Sequence, residues 1–145
     1  MQKITPFLWF EANAEQAAQF YTSIFKNSEI ISASPMMVTL ELEGQTLMLL
    51  NGGPHYKLTP AVSLFVNCET QLEIDDLWAK LTDGGAEGKC GWLVDKYGLS
   101  WQLVPSILGE LLGDKDRAKA QRVMEAMMSM NKLEIAILQQ AAQEP

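Results

Sequence analysis

The first fifty residues contain hydrophobic patterns typical of both strands and a helix. The continuous apolar run Ile4–Phe10 predicts a buried strand, and apolar side chains that recur every three or four residues from Ala17 to Phe25 predict an amphipathic helix. The alternation of apolar and polar residues from Val38 to Glu43 predicts a half-buried strand. The Asn13 side chain is expected to cap the helix. The predicted strands of this half are Ile4–Phe10, Glu29–Ala33, Val38–Glu43 and Thr46–Leu50.

The same succession begins again after Thr59-Pro60. A strand is predicted at Val62–Val66, and two more at Gly91–Val94 and Leu99–Val104. Between them lies a helix whose predicted inward residues are Leu72, Leu77, Trp78 and Leu81. The sequence therefore predicts an α+β fold with two βαβββ modules, residues 1–55 and a compressed second module at residues 56–105.

Residues 106–145 are predicted to form a helical tail. Asp114 or Asp116 caps a long helix that runs to Met130, and Asn131 caps a last helix that runs to Ala142. The methionines of the long helix form an adaptable apolar stripe. This stripe is expected to cover the sheet or a dimer seam, and the alternative is a groove that binds a partner.

Composition narrows the possible partners. The 145 residues suit a single globular domain, and the net charge of −7 without a basic run excludes a phosphate-binding surface for nucleic acid or anionic membrane. The longest apolar stretches are far shorter than the ~20 residues of a membrane span, and the first residues do not resemble a signal peptide. Cys68 and Cys90 lack metal-site spacing, so reduced thiols and a cytoplasmic location are expected.

Five longer sequence segments resemble those of a known family. They are Ile4-Thr5-Pro6-Phe7-Leu8-Trp9-Phe10, Asn51-Gly52-Gly53-Pro54-His55, Val66-Asn67-Cys68-Glu69-Thr70, Cys90-Gly91-Trp92-Leu93-Val94-Asp95-Lys96-Tyr97-Gly98-Leu99-Ser100-Trp101-Gln102 and Ala120-Gln121-Arg122-Val123-Met124-Glu125-Ala126-Met127. With the duplicated pattern, they resemble PhnB-like proteins of the vicinal-oxygen-chelate (glyoxalase/bleomycin-resistance/dioxygenase) superfamily. The resemblance implies paired βαβββ modules that form a curved mixed sheet, and a homodimer.

Many PhnB-like proteins carry the label 3-demethylubiquinone-9 3-methyltransferase, which implies S-adenosylmethionine. No G-x-G-x-x-G follows a strand and opens a helix here, so we discount that activity. Metal-dependent relatives place His, Gln or Glu at four strand positions. Aligned on Phe20-Tyr21, these positions fall at Pro6, at Pro60 or Ala61, within Leu47–Leu50, and at Gln102. The resemblance therefore implies neither a metal nor another cofactor.

Three residues are candidates for catalysis. Gln102 is either a buried amide that hydrogen-bonds the sheet or a group that orients a substrate. His55, the single histidine, is either a mobile general base or a solvated side chain. Cys90 is either a small buried hydrophobe or a thiolate favoured by the charge of Lys89.

Candidates for a ligand pocket are Asn51, Trp92, Tyr97 and Gln102. The two aromatic residues lie at a strand end and a turn, where amphipathic rings often edge a cavity. Asn51 could instead cap its own loop. By strand parity, Trp9 and Trp101 are expected to face the helices as core residues. Glu11 and Asp95 could act as acid or base, but each lies beside a predicted turn and is expected to be solvated.

Three functions remain open at this point. The first is an enzyme of unknown reaction with a metal-free small-molecule pocket. The second is a binding or sequestering protein of bleomycin-resistance type without turnover. The third is an interaction module that uses the methionine-rich tail. The missing donor set favours binding or metal-free chemistry over metal catalysis.

Overall fold

The computed structural model describes residues 2–144, and the chain divides into two compact units, one ending at Thr59 and the other beginning at Pro60. The first unit contains β1 (Phe7–Phe10), α1 (Ala14–Ile24), β2 (Ser28–Ala33), β3 (Met37–Leu42) and β4 (Gln45–Asn51). The second contains β5 (Ser63–Cys68), α2 (Gln71–Thr82), β6 (Ala86–Glu87), β7 (Trp92–Val94), β8 (Ser100–Pro105), α3 (Ile107–Leu112), α4 (Arg117–Met128) and α5 (Ile135–Gln143).

Both units build a four-stranded mixed sheet with the same topology. The strand orders are β1-β4-β3-β2 and β5-β8-β7-β6. In each sheet the first strand pairs parallel to the last one, and the remaining pairs are antiparallel. The α+β class and the repeated βαβββ succession predicted from the sequence are confirmed. The second sheet has two shorter strands, since β6 has two residues and β7 has three.

Alternating residues of the first sheet form the core beneath α1. The buried set on the strands is Leu8, Phe10, Val38, Leu40, Leu42, Leu47 and Leu49. The helix contributes Ala14, Ala17, Ala18 and Tyr21, all with no exposed surface. Small side chains on this helix let it approach the sheet closely while Tyr21 fills the remaining space. The alternate residues of the strands and one stripe of α1 thus form a single core.

Helix α2 covers the second sheet with a stripe different from the predicted one. Leu77, Trp78 and Leu81 are buried as expected, but Leu72 is 79% exposed and Ile74 is buried in its place. The Thr70 hydroxyl accepts a hydrogen bond from the Glu73 amide and fixes the start of the helix. Leu72 lies two residues before Ile74, roughly 200° around the helix from the buried stripe.

The tail helices pack around a small core of their own. This tail cluster consists of Val104, Leu108, Val123, Leu133, Leu138 and Ala142, with Met127 and Met130 packed against it. Asp116 caps α4 as predicted, since its carboxylate accepts from the Ala118 and Lys119 amides. Two predictions are wrong: α4 ends at Met128, and the N-cap of α5 is Glu134 rather than Asn131.

The predicted methionine stripe, whose last member Met130 lies just beyond α4, is only partly used in this packing. Met127 and Met130 cover the tail cluster, whereas Met128 is 61% exposed. Within residues 2–144, no helix is long and apolar enough to cross a membrane.

Candidate functional site

Each sheet has a second face, which points away from its helix and which we call its open face. Along β1 and the facing part of β4 the open-face residues of the first sheet are apolar, whereas Thr39, Glu41 and Thr46 lie on the same face further across β3 and β4. Phe7 pairs with Met48 and Trp9 with Leu50, and Phe7 is 52% exposed. The prediction that Trp9 faces the helix is wrong, because Leu8 and Phe10 occupy the helix-facing positions of β1.

Trp9 is held on this open face by the segment that follows β4. Its indole Nε1 donates to the Gly53 carbonyl at 2.9 Å, and its ring meets Tyr56 edge-on with centroids 4.9 Å apart. A Cβ at Gly52 would overlap the indole carbons of Trp9, so only glycine fits against the present ring position. Residues 52–56 are therefore packed against the open face of the first sheet.

The open face of the second sheet presents a row of three side chains across three strands. Gln102 on β8 pairs with Phe65 on β5 and with Trp92 on β7. Phe65 is 54% exposed, and the other two are half-buried. We call Phe65, Gln102 and Trp92 the aromatic–amide row. Trp101, one residue away, faces α2 and is buried, as predicted.

Two serines lie beside this row. The Gln102 side-chain amide donates from Nε2 to Ser63 Oγ at 3.0 Å, and Ser63 pairs with Ser100 across the parallel strands. The Ser100 hydroxyl oxygen is buried and has no hydrogen-bond partner among the described residues. Ser63, Phe65 and Ser100 were not among the sequence candidates. Their signal was the strand alternation around Gln102, which places them on its face.

Asp95 is buried rather than solvated, which corrects the sequence expectation. Its Oδ1 accepts from the Tyr97 amide at 2.8 Å and the Leu99 amide at 3.1 Å, and its Oδ2 accepts from Trp101 Nε1 at 2.9 Å. The carboxylate thus closes the turn between β7 and β8 and orients the core indole. Tyr97 lies in this turn, beyond the end of β7 that is opposite to Trp92.

Asn51 and His55 lie in the first unit. Asn51 Oδ1 accepts from the Ala14 amide at 2.8 Å, and its Nδ2 donates to the Pro35 carbonyl at 3.0 Å. It therefore caps α1 in place of the expected Asn13 side chain, which makes no capping bond. His55 is exposed in a turn of the segment packed on Trp9.

The two cysteines occupy different environments. Cys90 is half-buried with φ at 60°, and its amide donates to the Met130 carbonyl at 2.9 Å. Cys68 is fully buried. Burial, reinforced by the nearby Glu73 carboxylate, raises the pKa of the Cys68 thiol to about 12. Cys68 is therefore a neutral core residue.

The residues present do not fit a divalent cation. The first open face offers Phe7, Trp9, Met48 and Leu50 on β1 and β4, and the paired carboxylates Glu29 and Glu41 on β2 and β3, which are fewer than the three or four donors that a cation needs. On the second, Gln102 and two serine hydroxyls are weak neutral ligands. No three His, Cys, Asp or Glu side chains within residues 2–144 come together as a metal-binding group.

The loops likewise do not fit a nucleotide-like cofactor of the S-adenosylmethionine type. Residues 11–13 connect β1 to α1, and residues 69–70 connect β5 to α2. Neither connection contains glycine, so no glycine-rich turn brings backbone amides to a cofactor at the start of a helix.

Comparisons with known proteins place the chain in a family. A PhnB protein from Bacillus cereus, described as a 3-demethylubiquinone-9 3-methyltransferase, is 41% identical over 72% of this chain and 100% of its own, with a TM-score of 0.67. No curated protein matches the chain.

Two more distant structures share the fold. A glyoxalase-related enzyme from Fulvimarina pelagi is 11% identical, with a TM-score of 0.52 over 74% of this chain and 91% of its own. The fosfomycin resistance protein FosX from Listeria monocytogenes is 13% identical, with a TM-score of 0.55 over 72% of this chain and 90% of its own. The family model for 3-demethylubiquinone-9 3-methyltransferase matches residues 2–104. The chain therefore belongs to this PhnB-like family, and it shares its fold with the glyoxalase-related enzyme and with FosX.

Proposed function

We propose that this protein binds a small planar molecule on the open face of its second sheet, without a metal ion. The aromatic–amide row carries the proposal. Phe65 and Trp92 stand on either side of Gln102, two strand spacings apart, so their Cα atoms are separated by roughly 10 Å. That spacing leaves room for one ring between two aromatic side chains.

Gln102 supplies the polar contact in this proposal. One amide hydrogen is used by Ser63, which fixes the orientation of the side chain and leaves Oε1 and the second hydrogen for a ligand. A ligand with an amide, carbonyl or hydroxyl group at the ring edge could pair with both. A quinone ring, the kind that the family name mentions, belongs to this class.

Binding without turnover is the function that this chemistry supports best. The open-face positions of the second sheet are Ser63, Phe65, Asn67, Ala86, Trp92, Val94, Ser100, Gln102 and Val104, none of which is titratable near neutral pH. General acid–base catalysis needs such a group beside the reacting atoms. We further propose that the protein acts in the cytoplasm, which its two free thiols support, and as a homodimer.

Benzamide is a suitable first probe, because its ring matches the aromatic pair and its amide can form two hydrogen bonds with Gln102. We expect binding in a buffer that contains EDTA, measured by calorimetry and by a rise in melting temperature. Phe65→Ala should weaken binding at least tenfold. Phe7→Ala is the matched control, since Phe7 is an equally exposed ring on the other open face.

Gln102→Leu separates the polar contact from simple hydrophobic adsorption. It should weaken benzamide binding at least fivefold while leaving the weak binding of toluene unchanged. Equal losses in Phe65→Ala and Phe7→Ala, or binding that disappears with EDTA, would contradict the proposal.

A further inference from the structure

The tail helices follow directly from the strand that carries Gln102, and they lie outside the family match. That match ends at residue 104, and the Bacillus cereus relative covers only 72% of this chain although all of its own length is matched. The tail therefore adds features that the shared modules do not require.

Val104 shows where the tail meets the open face. By strand alternation it lies on the same face as Gln102, two residues further along β8. Gln102 is half-buried, yet Val104 is only 8% exposed because it belongs to the tail cluster with Leu133 and Leu138. The open part of the face thus ends between these two positions.

The tail is also fixed to the segment that precedes Trp92. The Cys90 and Gly91 amides donate to the carbonyls of Met130 and Asn131, at 2.9 and 2.8 Å. The Leu133 side chain lies 3.1 Å from where a Cβ at Gly91 would stand. Leu133 therefore lies against Gly91, the residue before Trp92, and shares the tail cluster with Val104 on β8.

Polar contacts hold Leu133 in this place. The Gln71 side chain donates to the Leu133 carbonyl at 3.1 Å and accepts from the Ile135 amide at 2.8 Å. Lys132 pairs with Asp75 at 2.8 Å, and this hydrogen bond, with that from Gln71, lowers the pKa of Asp75. The segment 132–135 is thereby anchored to the first turns of α2.

We infer that the tail forms an end wall of the ligand site, with Leu133 and Val104 at its base, and so limits ligand length along β8. This inference rests on the proposed function. The expected ligand is therefore a short molecule with a planar ring, a polar group at the ring edge and an apolar substituent. The substituent can be no longer than the distance from the ring to the wall.

A series of 3- and 4-n-alkylbenzamides measures this limit. In the native chain, affinity should rise with each added carbon and then stop. Leu133→Ala should move the stop to longer chains and tighten the first excluded homologue at least tenfold. Leu138→Ala is the matched control, because Leu138 is equally buried in the tail cluster, whereas the side-chain atoms nearest to a Cβ at Gly91 belong to Leu133.

The outcomes separate the two proposals. If benzamide does not bind the native chain, the proposed function and the wall both fail. If benzamide binds and the length limit is the same in Leu133→Ala and Leu138→Ala, only the wall is overturned. If Leu133→Ala does not fold, Leu133→Val is used instead, since it removes a single methylene. A length limit in Leu133→Val that equals the limit of the native chain would also overturn the wall.

Discussion

The two sheets share one strand order but have different open faces. The first presents Phe7 and Trp9 on β1, with residues 52–56 packed on the indole, whereas the second presents Gln102 between two aromatic rings. The two βαβββ modules thus share a buried helix-facing core but present different residues on their open faces. Binding chemistry is determined by the residues at these positions and does not follow from the fold alone.

The hairpin turns before the last strand of each sheet differ in the same way. Glu43 and Gly44 form a two-residue turn with φ of 48° and 85°, as type I′ hairpins require, and this turn needs no buried side chain. The turn of the second sheet is longer and is closed by the buried Asp95 carboxylate. Stability of the two turns should therefore respond differently to loss of the acidic residue.

Asp95→Ala should have the largest effect. It removes the carboxylate that accepts from the buried Leu99 amide and from the Trp101 indole, at about 1–3 kcal/mol for each donor, so we expect a loss of about 3–5 kcal/mol of unfolding free energy. Urea denaturation measures this loss. Glu43→Ala, which removes only exposed hydrogen bonds to Asn27, should cost about 0.5 kcal/mol or less. Similar losses in both variants would remove this distinction between the turns.

Gly52→Ala tests whether the first open face is closed by packing. The added methyl group cannot coexist with the present indole position, so we expect a loss of about 1–3 kcal/mol and a shifted NMR signal of the Trp9 indole N–H. In the control Gly109→Ala, the new Cβ meets no atom within 4 Å and lies in α3. That variant should gain about 0.5–1 kcal/mol. An unshifted Trp9 signal in Gly52→Ala would refute the packing.

Alkaline pH should destabilise the second unit through Cys68, which lies in its core. The raised pKa of Cys68 means that the unfolded chain loses the thiol proton first, near the ordinary value of 9.0, while the folded chain keeps it up to about 12. Stability from this group is therefore complete below pH 9 and falls as the pH rises toward 12. In denaturation curves, the unfolding free energy of Cys68→Ala should fall less steeply over this pH interval than that of the native chain. Equal slopes in the two proteins would count against this role of Cys68.

Hydrophobic periodicity predicted most of the fold because the core requires it. The alternation predicted a strand with Val38, Leu40 and Leu42 facing the core, and β3 lies at that place. Trp9 was misplaced because the strand contains aromatic residues at both parities, and only contacts with residues distant in sequence select Leu8 and Phe10 for the core. The buried state of Asp95 was likewise hidden, since it depends on Trp101 across the hairpin.

The candidate site was predictable in part for the same reason. Gln102 and Trp92 were identified from their own residue types, and the structure pairs them directly. Phe65 was overlooked because its pairing with Gln102 joins strands separated by α2. Asn51 resembled a ligand group in the sequence, but its capping of α1 requires contact with Ala14, 37 residues earlier in the chain.

An NMR titration with benzamide tests the difference between the two open faces most directly. The indole N–H groups of Trp92 and Trp9 and the side-chain amide of Gln102 each give a resolvable signal. We predict that the Trp92 and Gln102 signals shift in saturable fashion with one dissociation constant, while the Trp9 signal stays in place. Shifts confined to Trp9, or no saturable shift at Trp92 and Gln102, would contradict a binding site on the second sheet.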